Sequence, residues 1–452
     1  MKKTKTVYVC DACGGKTLRW AGQCPDCGAW NTLVETQAIG GGGRRQDGFE
    51  GGGVETVLEG LDRAGQQDTP RFPTGLGELD RVLGGGLVPG SVTLIGGDPG
   101  IGKSTLLLQG VASIARRTRA LYVSGEESLA QIGLRAKRLE LADAPVTLAA
   151  ETCVERILEA AHKAKPGVLV VDSIQAVFTT MLQSAPGAVA QLRESTALLT
   201  RYAKQSGTAV FLVGHVTKEG VIAGPRVLEH MVDTVLYFEN DAGSRYRVIR
   251  AVKNRFGAAN ELGVFAMTET GLKEVKNPSA IFLSRHGEPV SGSAVTVIRE
   301  GTRPMLIEVQ ALVDESHLNN PRRVAVGMDV NRLSMLLAVL HRHGGVAMFG
   351  YDVFLNVVGG LRVNETAADL AALLAALSSF RDKPLPPELI VFGEVGLAGE
   401  IRPVYNGEER LREAAKHGFK RAIVPRDNAP RKAIEGLDVV PVQRLAEAIA
   451  SI

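Results

Sequence analysis

One stretch restricts this chain more than any other: Gly97-Asp-Pro-Gly-Ile-Gly102-Lys103-Ser104, followed by Thr105. It comes directly after the apolar run Ser91-Val-Thr-Leu-Ile95 and opens a helical pattern, Ser104–Ala115. A strand, a glycine-rich turn and a helix start, in that order, form a phosphate loop. Across Gly97, Asp98, Pro99, Gly100, Ile101 and Gly102 the glycines let successive backbone N–H groups curl around phosphate oxygens. The helix N-terminus adds partial positive charge, and Lys103 neutralises the outer phosphates. The Ser104 hydroxyl, joined by that of Thr105, would hold Mg²⁺.

The rest of the middle region fits such a core. Ala120-Leu-Tyr-Val123, Val168-Leu-Val-Val171 and Ala209-Val-Phe-Leu-Val213 are apolar runs of strand length, separated by amphipathic segments such as Ala188–Gln205. Strands apolar on both faces, alternating with helices, predict a buried and largely parallel α/β sheet. Three of these runs end in polar groups. Asp172, after Val168–Val171, supplies a carboxylate for the magnesium. Tyr122-Val-Ser-Gly-Glu126-Glu127-Ser128 offers two adjacent carboxylates placed to reach an attacking water, with Glu126 the stronger candidate. His215, Thr217 and Lys218 follow the fourth run, where a polar turn can sense a terminal phosphate and pass its state to the segment ending at Arg226.

Between Gly243 and Gly257 there are five basic residues and no acidic ones: Arg245, Arg247, Arg250, Lys253 and Arg255. If the segment is extended, period two puts Arg245, Arg247, Lys253 and Arg255 on one face. The ending Lys253-Asn-Arg255-Phe-Gly257 reads as a cationic tip reaching a phosphate of DNA or of a neighbouring subunit's nucleotide.

The first residues belong to something else. Cys10-x₂-Cys13-x₁₀-Cys24-x₂-Cys27 has the spacing of a four-thiolate zinc site, and so small a domain needs such a staple. A pair of disulfides is the alternative, which an intracellular location disfavours. Trp20 and Trp30 could stack on bases or cover the metal. Cys153 stands alone and reads as a buried apolar residue. Between Gly40 and Gly53 eight of fourteen positions are glycine, a flexible linker.

These signals divide the chain into a zinc finger (1–38), a Gly-rich linker (39–70), an ATPase core (71–275) and an α+β C-terminal domain (276–452). Composition sets the outer bounds. With 52 Lys+Arg against 49 Asp+Glu the formal charge is +3, so an anionic partner must meet a local patch. The longest uncharged stretch, Ser173–Leu192, is broken by Gln, Ser and Thr and is no bilayer span. The start lacks the apolar core of a secretory signal, so a cytoplasmic protein without membrane partners is expected.

Taken together, the four-cysteine finger, Thr74-Gly-Leu-Gly-Glu-Leu-Asp80, Gly97–Ser104, Val123–Ser128, Val170-Val-Asp-Ser-Ile174, Lys253–Gly257 and Phe392–Pro403 closely resemble the bacterial DNA-repair family RadA, also called Sms. The resemblance runs in order along essentially the whole chain. It implies a zinc finger, a RecA-like ATPase core with ATP, Mg²⁺ and Zn²⁺ as cofactors, and a C-terminal domain similar to the proteolytic domain of Lon. It further implies a DNA-stimulated ATPase that binds single-stranded and branched DNA. Such proteins promote branch migration of RecA-made intermediates and form a hexameric ring resembling replicative helicases. By the same resemblance Lys253 and Arg255 would stabilise charge on the next protomer's nucleotide.

The Lon proteases carry a Ser in a Pro-Ser-Ala-Gly stretch and a Lys in Gly-Gly-x-Lys. The corresponding stretches here read Glu365-Thr-Ala-Ala-Asp369 and Asn406-Gly-Glu-Glu-Arg410, with neither residue, so peptidase activity is not expected. An ATP-gated scaffold or kinase built on a RecA core, without translocation, is the alternative to a DNA motor.

Overall fold

The computed structural model describes residues 6–10, 16–17, 20–25, 30, 33–37, 70–215, 227–239, 245–283 and 288–452. Its compact units are Met1–Asp68 and Thr69–Ile452. In the first, strands β1 (Thr6–Cys10), β2 (Lys16–Thr17) and β3 (Leu33–Gln37) form an antiparallel sheet with β1 in the centre, where Cys10 lies opposite Leu33.

The second unit holds two larger sheets. The first runs through β4 (Val92–Gly97), β5 (Ala120–Ser124), β6 (Val146–Ala150), β7 (Val168–Asp172), β8 (Ala209–His215), β9 (Thr234–Glu239), β10 (Tyr246–Asn254), β11 (Leu262–Thr268) and β12 (Gly271–Glu274). Their spatial order is β12-β11-β10-β9-β4-β8-β7-β5-β6. The six strands from β9 to β6 are mutually parallel, and β10 to β12 continue the sheet as antiparallel neighbours. Every residue of β4, β5 and β7 is buried, as strands covered on both faces must be. Helices Lys103–Ala115 and Leu129–Arg138 cover one face, and Val154–Ala164 and Val189–Ser206 cover the other.

The second sheet comprises β13 (Ser293–Glu300), β14 (Arg303–Glu315), β15 (Arg323–Val326), β16 (Tyr351–Val357), β17 (Leu389–Val391), β20 (Arg421–Pro425) and β21 (Asp438–Val442), in the order β15-β16-β14-β13-β17-β20-β21; β18 (Glu394–Val395) and β19 (Ile401–Arg402) make a separate ribbon. Helices Val330–Gly344 and Asp369–Arg381 pack on one face, and Gly407–Lys416 on the other. This is the α+β C-terminal half that the sequence predicts. Among the described residues no helix is long and apolar enough to cross a membrane.

The two sheets meet at the β13–β14 turn. Gly301 has φ +60°, and a Cβ there would stand 2.8 Å from the Glu261 backbone, so only glycine lets the turn lie flat against β11's approach. Around it Arg303 donates to both carboxylate oxygens of Glu78 at 3.0 Å, Thr302 N donates to Glu261 at 2.7 Å, and Arg250 of β10 bonds Glu300 and Glu239. Burial pushes the Glu300 carboxyl up, against the pull of Arg250. Removing one partner of a buried pair leaves the other charge stranded. Arg250→Ala is therefore expected to cost about 3 kcal/mol of unfolding free energy. Urea titration measures it; a loss below about 0.5 kcal/mol, the level of an exposed pair, would show that the junction is solvated.

Candidate nucleotide site

The parallel register decides where the site lies. Gly97 of β4 sits opposite His215 of β8, and Ser124 of β5 opposite Asp172 of β7, so the carboxyl ends of four strands open on one edge. Ligands of open α/β sheets bind at that edge.

Gly97 closes β4, and Gly100 and Gly102 hold φ of +75° and +118°. A Cβ at Gly100 would meet nothing within 4 Å, so the loop faces open space there. Helix Lys103–Ala115 has no side-chain cap at its N-terminus, which leaves its first N–H groups facing that space. Lys103 is buried, and its ammonium donates to the carbonyls of Gly97 and Asp98, each at 2.8 Å. Burial lowers its pKa to about 8, even though Asp172, Asp98 and Glu126 pull the other way. The hydroxyls of Ser104 and Thr105 are half-buried at the helix start. An anion of triphosphate type suits this turn: uncapped N–H groups, a folded-back ammonium, and open space beside Gly100.

Asp172 is buried at the end of β7 and accepts the Tyr122 hydroxyl at 2.5 Å. Burial, then the adjacent Asp172 charge, pushes the Tyr122 phenol well above its usual range. The two adjacent glutamates part company. Glu126 bonds the Ser173 hydroxyl and lies 3.5 Å from His215 Nε2. Glu127 is held by Arg135, and its N–H donates to Ser124 Oγ at 2.9 Å. The cause is local: Ser128 and Gln131 form a capping box that starts helix Leu129–Arg138, which turns Glu127 toward the helix. Gln175 Nε2 donates to the His215 carbonyl at 3.1 Å, while Gln175 Oε1 and His215 Nδ1 are buried without a partner. Tyr122, Ser173 and Gln175 were not among the residues predicted for the site. Of these, Ser173 carried a signal, standing directly after Asp172.

The basic segment departs from the expected single face. Ala251 pairs with Leu236 but Lys253 with Val235, so Val252 is an extra residue, a bulge. The bulge reverses the alternation. Arg247 stays on the face of helix Lys103–Ala115, where its Nε donates to the Ile101 carbonyl at 3.2 Å. Lys253 points to the opposite face and donates to the carbonyls of Glu229 and Val232, each at 2.8 Å. Burial and the neighbouring Arg255 lower the Lys253 pKa. Arg255 lies past the strand end, largely exposed, 3.4 Å from Asp233. Thr217, Lys218 and Arg226 lie outside the described residues, as do Cys13 and Cys27. Cys24 is buried in the first unit.

In the C-terminal half the two stretches Glu365–Asp369 and Asn406–Arg410 do meet. Arg410, almost fully buried, makes a two-pronged bond to Glu365 at 2.7 and 2.8 Å. Thr366 donates its hydroxyl to Glu394 at 2.8 Å, and buried Asp369 pairs with Arg332.

Comparison with known proteins matches three family models: a rubredoxin metal binding domain over residues 8–35, an AAA domain over 65–221, and subunit ChlI of Mg-chelatase over 338–428. The AAA domain carries nucleotide binding and the ribbon carries zinc. Over its whole length the chain is 62% identical to the DNA repair protein RadA of Pseudomonas aeruginosa, with 99% of each chain covered. It is 55% identical to that of Escherichia coli K12, covering 99% of this chain and 98% of the other, and 49% identical to that of Bacillus subtilis 168, covering 99% of both. With the phosphate loop, the strand-end carboxylates and the ribbon all in place, the chain belongs to the RadA family of bacterial DNA repair proteins.

Proposed function

We propose that this chain is a DNA-stimulated ATPase that moves along DNA, handling single-stranded and branched recombination intermediates made by RecA. It would work in the cytoplasm as a ring of six, with residues 1–38 as the finger, 39–70 as tether, 71–275 as motor and 276–452 as a non-proteolytic platform. The observation that carries the reading is the convergence of Lys103, Asp172, Glu126 and His215 at one sheet edge. An ammonium, two carboxylates and an imidazole, at or just beyond the ends of four strands, suit phosphoryl transfer to water.

In this reading Lys103 leaves the carbonyls of Gly97 and Asp98 for the outer phosphates. Ser104 and Asp172 would hold Mg²⁺, which when bound offsets phosphate charge. Tyr122 keeps the Asp172 carboxylate oriented. Glu126, steadied by Ser173, orients the attacking water and takes its proton, a role Glu127 cannot share while Arg135 holds it. His215 senses the outcome and passes it to the segment through Thr217, Lys218 and Arg226, which grips DNA. Lys253 and Arg255 reach the neighbouring protomer's phosphates. The replacement of the protease dyad by the Arg410–Glu365 pair supports a purely structural C-terminal half.

Four outcomes are expected. Lys103→Ala should lower ATP turnover by at least about a hundredfold, the cost of losing a charge aimed at the transition state. Glu126→Gln should do the same, whereas Glu127→Gln should stay within about threefold of the parent; phosphate release measures both, and the reverse ranking would move the role to Glu127. Nucleotide affinity should fall as pH rises. Phosphates favour the charged ammonium, and the free group titrates near 8, so above about pH 8 binding must take up a proton and weaken by up to about tenfold per unit. Calorimetry showing flat affinity from about pH 7 to 9.5 would remove Lys103 from the phosphates. For the function itself, single-stranded DNA should raise the ATPase rate and a forked substrate should be unwound. A rate blind to every oligonucleotide would leave a nucleotide-gated scaffold.

A further inference from the structure

Arg247 lies at the start of β10, far along the strand from the Lys253–Gly257 tip, yet it touches the phosphate loop. Its Nε donates to the carbonyl of Ile101, a buried residue immediately before Gly102. From the other side Met267 of β11 and Leu272 of β12 press on Gly102, so close that a Cβ there would stand 3.1 and 3.3 Å from them. The loop is thus gripped by the antiparallel extension of the sheet, not only by its own strand and helix.

The far end of β10 is tied to the same loop by another route. Arg255 N donates to the Asp233 carbonyl, and the Asp233 carboxylate accepts Val92 N at 3.0 Å and the Lys204 ammonium at 2.7 Å. Val92 is the first residue of β4, the strand that ends in the loop. In between, Arg250 is pinned by Glu239 and Glu300, and β10 is paired on both edges, with β9 and with β11. A strand held at its start, middle and end has little freedom to bend. A displacement of Ile101 has to move it as a unit or break a charged contact.

We propose that Arg247 is a positioning residue for the phosphate loop, and that β10 transmits the loop's occupancy to the Lys253–Gly257 tip. The inference rests on the nucleotide reading above. The adjacent guanidinium holds the Ile101 carbonyl away from the phosphates, and nucleotide entering the loop shifts that carbonyl, the strand and the tip together.

The test uses the full chain, with Arg247→Ala and Arg247→Lys, and the probes are ATP and a non-hydrolysable ATP analogue with Mg²⁺. Loss of a charged hydrogen bond to a buried carbonyl is expected to weaken nucleotide binding by about tenfold while kcat at saturation changes less than about threefold. Lysine, which can still donate, should recover most of the affinity. A merely structural arginine would not produce that split. Hydrogen exchange of amides 253–257 gives the second readout: saturating analogue should change it in the parent and in Arg247→Lys but not in Arg247→Ala. Parent-like affinity in Arg247→Ala, or a tip that responds to analogue without Arg247, overturns the proposal. Should Lys103→Ala also bind ATP as the parent does, the nucleotide reading itself has failed; should Lys103→Ala lose binding while Arg247→Ala keeps it, only the role of Arg247 has.

Discussion

A buried ammonium at the mouth of a glycine turn is the interaction on which the rest of the nucleotide-binding half depends. Lys103 is taken out of water by its own helix, and in return it is bonded by two backbone carbonyls of the turn it closes. Such an arrangement is costly unless an anion completes it, which is why burial depresses its proton affinity. Everything nearby serves to bring further charge to that point. The six parallel strands line up their carboxyl ends, the helices after them present N-termini, and the antiparallel extension braces the loop from outside.

The parts of this arrangement that could be read from the sequence are those whose chemistry demands contiguous residues. A phosphate loop needs its glycines, lysine and hydroxyl within one turn, and a metal-holding acid at a buried strand's end announces itself by following four apolar residues. The parallel sheet was readable for the same reason: strands covered on both faces cannot hide their composition. The bulge at Val252 was not. Nothing in Arg250-Ala-Val-Lys253 distinguishes a regular strand from one with an added β-branched residue, yet that single residue sends Arg247 and Lys253 to opposite faces. Likewise Glu126 and Glu127 are equivalent on paper. What separates them is Arg135, nine positions after Glu126 and one helical face away, and a serine cap that aims it. Tyr122, Ser173 and Gln175 owe their roles to strands that are neighbours only in the folded sheet.

In the C-terminal half, charged and hydroxyl side chains are committed to fixed partners inside the fold. Arg410 is locked onto Glu365, and the Thr366 hydroxyl is committed to Glu394. Arginine cannot act as a base at any ordinary pH, and a guanidinium donating to two carboxylate oxygens and to the Val297 carbonyl cannot swing away. The Arg410–Glu365 pair is therefore a rigid part of the fold.

The turn at Gly301 has a bearing on how this lineage can be rearranged. It joins the two halves through two ion pairs, Arg303 with Glu78 and Glu300 with Arg250, and through the Thr302 amide bonded to the Glu261 carboxylate. Severing the polypeptide near residue 276 would expose unmatched carboxylates and guanidiniums on both fragments, so neither is a ready-made building block. Grafting the C-terminal half of a distant homologue onto this nucleotide-binding half would demand that those positions change in concert, and the seam between the halves should therefore drift as a single inherited unit.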